Sequence, residues 1–312
     1  MVSFFWNNWL LIAVIPPMLY AIVSLFDAYW IDRQVFDNAR EATIISALFG
    51  ALPLLAPIFG IIEIQLPAPK VTGIALLSGV AFALHIYYYL AALFEKNDVV
   101  LAETIQNLSV LCVPFLAYFL IDEILTSIHY VGIGVATLGV VFMYCHNKSS
   151  VSGGFAGCGK LVVSMLLFSL TLIAGEWVYR HTSFWDGYMI FSLGMFITGF
   201  GFFLFGNKKT IPKIVCSKWR FFFLAEGLTT IGILCSQRAV DISPSVTFIA
   251  ITECLVAFFI LMLSLGVFWF ARIAGGKLEP LGVICKNQLI DYPGKIVAGL
   301  FISTGILLVY TY

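Results

Sequence analysis

The chain has 312 residues, with 17 Lys and Arg against 17 Asp and Glu, 61% hydrophobic and only 11% charged residues. A soluble domain carries roughly 25% charged residues, so a mean hydropathy of +1.00 excludes that class and describes a polytopic membrane protein. The balanced charge gives no field toward nucleic acid. The seven cysteines, scattered with no CxxC pair, argue against a disulfide framework or a zinc site; no metal and no cofactor is expected.

Charges and turn residues cut the sequence into ten apolar spans, near 8–27, 42–62, 71–94, 98–121, 127–146, 161–181, 186–206, 219–239, 242–270 and 295–311. Each approaches or exceeds the roughly 20 residues that cross a hydrocarbon core. Pro16 and Pro17 in the first span and Pro53 and Pro57 in the second remove backbone donors, which predicts kinks or local openings. The third span holds His85, Tyr88 and Tyr89. The histidine is a candidate proton relay or a satisfied structural residue.

The fourth span opens with Glu103, Gln106 and Asn107, whose spacings of three and four put them on one helical face, the most polar of any span. It ends at Asp122 and Glu123, where a helix cap or a gate contact is expected. In the sixth span Glu176 lies four residues before Arg180, the spacing of a local ion pair, and Trp177 adds an aromatic face. Glu226, in the eighth span, follows Lys218 and Arg220 and could snorkel to the surface or serve the mechanism. Glu253 sits near the middle of the ninth span with no basic residue within a turn. A carboxylate at that depth costs roughly 2.5 to 3.5 kcal/mol, so it should face protein, water or substrate.

Fourteen of the 17 basic residues fall in alternate loops, and only Lys70, Arg180 and Arg238 lie on the other side. The positive-inside rule then places both termini outside. Sliding the fifth span onto the tenth superposes Val131 on Val297, Thr137 on Ser303, Gly139 on Gly305 and Tyr144 on Tyr310. Five spans per half, an odd number, force the second half to enter the membrane in the opposite sense, as in the inverted repeats of secondary transporters. The expected units are 1–148 and 149–312, with a cytoplasmic, interfacial insertion over 271–295. Gly132, Gly134, Gly139, Gly299 and Gly305 predict backbone-to-backbone packing of spans five and ten.

The run from Ile121 through Glu123, Gly132 and Gly139 to Val140 resembles the fourth-to-fifth helix junction of the drug/metabolite transporter superfamily, particularly its EamA-like branch. The resemblance covers nearly the whole chain and implies ten helices, a five-helix duplication and transport, without naming a substrate. Two features depart from it: Leu265 to Phe270 stand where the second half would carry a Glu matching Glu123, and the fourth-helix proline is shifted to Pro114.

The expected function is a secondary transporter, not an enzyme, moving a small cationic or zwitterionic metabolite by alternating access with proton coupling or exchange. Glu253, Glu103, Gln106, Asn107, His85, Tyr88, Tyr89 and Trp177 are the candidate substrate contacts, the rings offering cation–π attraction. Glu253, Glu123 and Glu226 are the candidate gating or coupling groups. The alternatives are an anionic cargo such as a nucleotide sugar held by Arg180 and Arg238, or a membrane-embedded enzyme. A lipid-embedded monomer is expected, with the bacterial inner membrane as host. Gly154 to Lys160 spells a GxxxxGK phosphate loop, but Leu161 replaces the needed Ser/Thr and no strand precedes it.

Overall fold

In hydrocarbon every backbone donor and acceptor must be satisfied within the protein, which leaves the helix as the economical form for these apolar runs. The computed structural model describes residues 6–32, 35–36, 38–95, 99–147, 157–205, 211–274 and 279–311, with the backbone alone at 32, 147, 211–222, 274, 279–281, 284 and 287. The loop cations Arg33, Lys96, Lys148, Lys208, Lys209 and Lys277, and Gly154 of the phosphate-loop look-alike, lie outside the described residues. Among the described residues there are helices and no strands.

The helices are α1 (Trp9–Asp32), α2 (Ala39–Gly50) with a 3-10 turn (Leu52–Leu54) and α3 (Leu55–Ile58), α4 (Pro69–Leu93), α5 (Val99–Gln106), α6 (Ser109–Ile121) and α7 (Ser127–Asn147). They continue with α8 (Cys158–Tyr179), α9 (Phe184–Leu204), α10 (Ile211–Ile242), α11 (Val246–Glu253), α12 (Leu255–Ala274), α13 (Glu279–Gln288) and α14 (Tyr292–Thr311). Nine stretches of the described residues are long and apolar enough to cross a membrane, counting α2–α3, α5–α6 and α11–α12 as one span each. The tenth expected span lies inside α10, whose polar Glu226, Gln237 and Arg238 dilute its hydropathy.

Proline acts differently in the first two spans. α1 runs unbroken through Pro16 and Pro17, whereas the second span breaks after Gly50 into the 3-10 turn, with Pro53 in its first turn. The fourth and ninth spans also break, at Asn107–Leu108 and at Cys254, without a proline at either point. The insertion between the ninth and tenth spans forms α13, which packs against α12.

Interhelical contacts come in pairs related by exchanging the two halves. α4 on α8 is matched by α10 on α1, and α6 on α8 by α12 on α1. At the centre α6 meets α11 while α5 meets α12, so the fourth and ninth spans cross antiparallel. Large apolar side chains on the outer faces, such as Phe115, Phe119, Leu300 and Leu307, are exposed, as a lipid-facing surface requires.

α7 and α14 pack most closely, and glycine permits it. A Cβ on Gly305 would lie 2.6 Å from the Gly132 carbonyl oxygen and from the Ala136 nitrogen, and one on Gly139 would lie 2.7 Å from the Ala298 oxygen. Gly299 instead sits under the Phe258 ring, and Gly134 faces open space, so the close-packed seam uses Gly132, Gly139 and Gly305 only. Gly305→Ala should therefore lower stability by about 1–3 kcal/mol through overpacking, while Gly134→Ala stays within about 0.5 kcal/mol of the parent. Thermal unfolding in detergent, followed by tryptophan fluorescence, checks both.

Candidate functional site

The two helix breaks face each other and exchange hydrogen bonds. Asn107 Nδ2 donates to the Cys254 carbonyl at 3.2 Å, and Cys254 Sγ donates to the Asn107 carbonyl at 3.6 Å. Carbonyls freed by the breaks are thus satisfied across the crossing of the fourth and ninth spans. The breaks also end α5 at Gln106 and α11 at Glu253, which delivers both side chains to one interior cavity of about 120 Å³.

Four carboxylates line that cavity: Asp27 from α1, Glu103 from α5, Glu226 from α10 and Glu253 from α11. Among the described residues no Lys or Arg lines it. Glu103, Glu226 and Glu253 are buried, at 9%, 6% and 4% exposure. Their partners are hydroxyls. Glu103 Oε1 accepts from Tyr89 at 2.6 Å and from Ser24 at 2.9 Å, Glu226 Oε1 from Ser46 at 2.9 Å, and Glu253 Oε1 from Ser236 at 3.2 Å. A neutral donor shell orients a carboxylate without cancelling its charge, so full compensation must come from a proton or a cation.

A second polar group completes the wall. His85 Nδ1 lies 2.8 Å from Ser164 Oγ, and Gln106 Nε2 donates to the same oxygen at 2.6 Å. This leaves Gln106 Oε1 buried without a hydrogen-bond partner, as is the second oxygen of Glu226. The rings on the cavity are those of Tyr20, Phe82, Tyr89 and Phe168.

Among the sequence candidates, Glu253, Glu103, Gln106, Asn107, His85, Tyr89 and Glu226 meet at this cavity. Tyr88 and Trp177 do not line it. Tyr88 sits edge-on to Tyr87 at 5.3 Å, while Trp177 stacks on His181 at 4.2 Å and carries Lys70 over its face at 5.2 Å. Glu226 is drawn inward by Ser46 and does not reach toward Lys218 and Arg220.

Sequence reasoning passed over Asp27, Ser24 and Tyr20. The first span was ended at Asp27, whereas α1 runs on to Asp32. The signal was present: Tyr20, Ser24 and Asp27 stand at spacings of four and three, a polar stripe on one face.

On the side of the chain termini the bundle is closed by paired groups. Glu123 accepts hydrogen bonds from Ser245 Oγ and, at 3.2 Å, from Thr247 Oγ1. Glu176 accepts from the Val246 nitrogen at 2.8 Å and pairs with Arg180, the expected ion pair. Together they hold the start of α11 to the first half and to α8. Trp9, Phe248 and Tyr310 stack beside them, with Trp9–Tyr310 centroids at 4.8 Å. Arg238 pairs with Asp241, donates to Asn7 Oδ1 at 3.1 Å and lies 5.3 Å over the Phe184 ring. Both arginines are therefore engaged at helix ends and neither lines the cavity.

No curated protein sequence matches the chain. A solved crystal structure superposes with a TM-score of 0.55 at 15% identity, covering 92% of this chain and 97% of its own, a likeness of fold alone. Residues 7–145 match the EamA-like transporter family model, which spans α1 to α7 and includes Asp27, Glu103, Gln106 and Asn107. Over residues 7–145 this integral, multi-pass membrane protein is thus similar to the EamA-like transporter family, in keeping with the drug/metabolite transporter superfamily.

Proposed function

We propose that the protein is a secondary transporter that moves a small cationic or zwitterionic metabolite by alternating access, with protonation or exchange at Glu253 and Glu103 as the coupling. The observation that carries this reading is the cavity itself: four carboxylates, three of them bonded to hydroxyls, with no Lys or Arg on the wall among the described residues. Such a chamber favours positive charge and repels phosphate or a second carboxylate. The anionic alternative loses its support, because Arg180 and Arg238 are held by Glu176 and Asp241 away from the cavity.

The reading takes 1–148 and 149–312 as two inverted five-helix units acting as a monomer, in a bacterial inner membrane. Its support is the paired contacts and the antiparallel crossing of the fourth and ninth spans. Alternation then means rocking of these units about the mutually bonded breaks, with the termini side opened by release of Glu123 and Glu176 from the start of α11. Tyr88 and Trp177 drop out of the substrate contacts, and Asp27 joins them.

Glu253→Gln keeps shape and hydrogen-bonding capacity but removes the charge. Proteoliposome uptake with a panel of amines and amino acids should fall to background in this variant, with an unchanged size-exclusion profile; wild-type uptake removes Glu253 from the mechanism. The latch is tested separately in a variant whose only cysteine is Cys254. Ser245→Ala with Thr247→Ala deletes two hydrogen bonds of about 0.5–1.5 kcal/mol each, so alkylation of Cys254 by a water-soluble reagent should accelerate about fivefold or more. An unchanged rate shows that Glu123 does not hold that side closed.

A further inference from the structure

The acids do not converge on a point. Among the described residues no three His, Cys, Asp or Glu side chains form a group able to hold a metal ion. Instead they are strung along the cavity. Glu253 is bonded to Ser236, and Ser236 stands ten residues beyond Glu226 on α10, a rise of about 15 Å at 1.5 Å per residue. Apolar side chains such as Val23, Leu90, Val256 and Phe168 share the wall with them.

Three buried polar atoms on this wall lack partners: the Tyr20 hydroxyl, which can itself donate, and two oxygens that can only accept, Glu226 Oε2 and Gln106 Oε1, whose side chains are each 6% exposed. A buried acceptor left unpaired is destabilising, because it gives up its bond to water and gains none. Both acceptors require a donor, and they reach the cavity from different helices, α10 and α5. A zwitterion would bring a carboxylate that finds no cation here. A monovalent cation would satisfy one position and leave the other acids uncompensated.

We propose that the cavity takes a linear di- or polyamine, whose separated ammonium groups meet Glu226 and the Gln106–Glu103–Glu253 region while the methylene spacer lies against the apolar wall. This narrows the substrate class of the transport reading and rests on it. Alternating charge and hydrocarbon along the ligand matches alternating carboxylate and aliphatic surface along the cavity. The ammonium donors fill the two vacant acceptors, one of them charge-assisted.

Calorimetric titration of the full chain in detergent, with linear diamines of increasing length, spermidine, n-butylamine and glycine, decides it. The longer diamines or spermidine should bind about tenfold or more tighter than butylamine, since one further charged hydrogen bond is worth about 1.5–3 kcal/mol. Affinity should pass through an optimum with length, and glycine should not compete. Glu226→Gln should cut the affinity for the best polyamine about tenfold and that for butylamine by less. Equal affinity for mono- and diamines, a flat length series, tight glycine binding, or binding of none of the probes overturns the proposal. Should Glu226→Gln fail to fold, the length series on the wild-type protein still decides. Proteoliposome uptake separates the two claims. A polyamine that binds but is not moved sinks the transport reading and leaves the ligand class standing, whereas uptake of a monoamine without polyamine binding does the reverse.

Discussion

A helix interrupted inside hydrocarbon frees backbone carbonyls that lipid cannot satisfy, and the remaining architecture depends on how this protein answers that demand. The interruptions in the fourth and ninth spans lie against one another, so Asn107 and Cys254 each serve the other's carbonyl. The Asn107 carbonyl also accepts from the Val110 nitrogen at 3.2 Å within its own span. The exchanged bonds set the two breaks against each other and place Gln106 and Glu253, the last residues of α5 and α11, beside the same crossing. The polar centre of the molecule is thus a consequence of pairing two defects.

The acids are held in two ways. At the termini side Glu176 has Arg180 and the Val246 nitrogen and Asp241 has Arg238, while Glu123 there has the Ser245 and Thr247 hydroxyls. In the cavity Glu103, Glu226 and Glu253 have hydroxyls. Buried ionic groups kept for stability are normally paired, since an uncompensated charge in low dielectric is costly. Among the described residues, a wall that gathers Asp27, Glu103, Glu226 and Glu253 without Lys or Arg leaves that cost unmet by any fixed cation.

Much of this was legible in the sequence, because apolar length and charge placement depend on the bilayer and not on the details of packing. The spans, the isolation of Glu253 and the Glu103–Gln106–Asn107 face follow from hydropathy and the 3.6-residue period alone. The breaks at Asn107 and Cys254 were not legible. No Gly or Pro marks them, and what permits each is a side chain on the other helix. Asp27 was hidden by a boundary error, since an acid near a span end looks like an interfacial residue until α1 is seen to continue for another turn. Tyr88 and Trp177 misled because 29 Phe, 13 Tyr and 7 Trp make adjacency of an aromatic and a carboxylate uninformative about direction. Gly134 shares its helix with Gly132 and Gly139 but not their face.

The two central acids are unequal. Gln106 and Glu253 each end an eight-residue helix at the crossing, so Glu103 stands one turn back where the ninth span carries Ala250. Here Glu103 receives hydrogen bonds from Tyr89 and Ser24, both from the first half, whereas Glu253 receives one, the longer, from Ser236. More donors stabilise the carboxylate in place and reduce its gain from a passing cation or proton. Glu253, at the end of α11 with a single hydroxyl, retains more of that gain. Its helix is also the one whose start is clamped by Glu123 and Glu176. Glu253 and Val246 stand at the two ends of the same eight-residue helix, so a rigid-body shift of that segment moves both sets of contacts together.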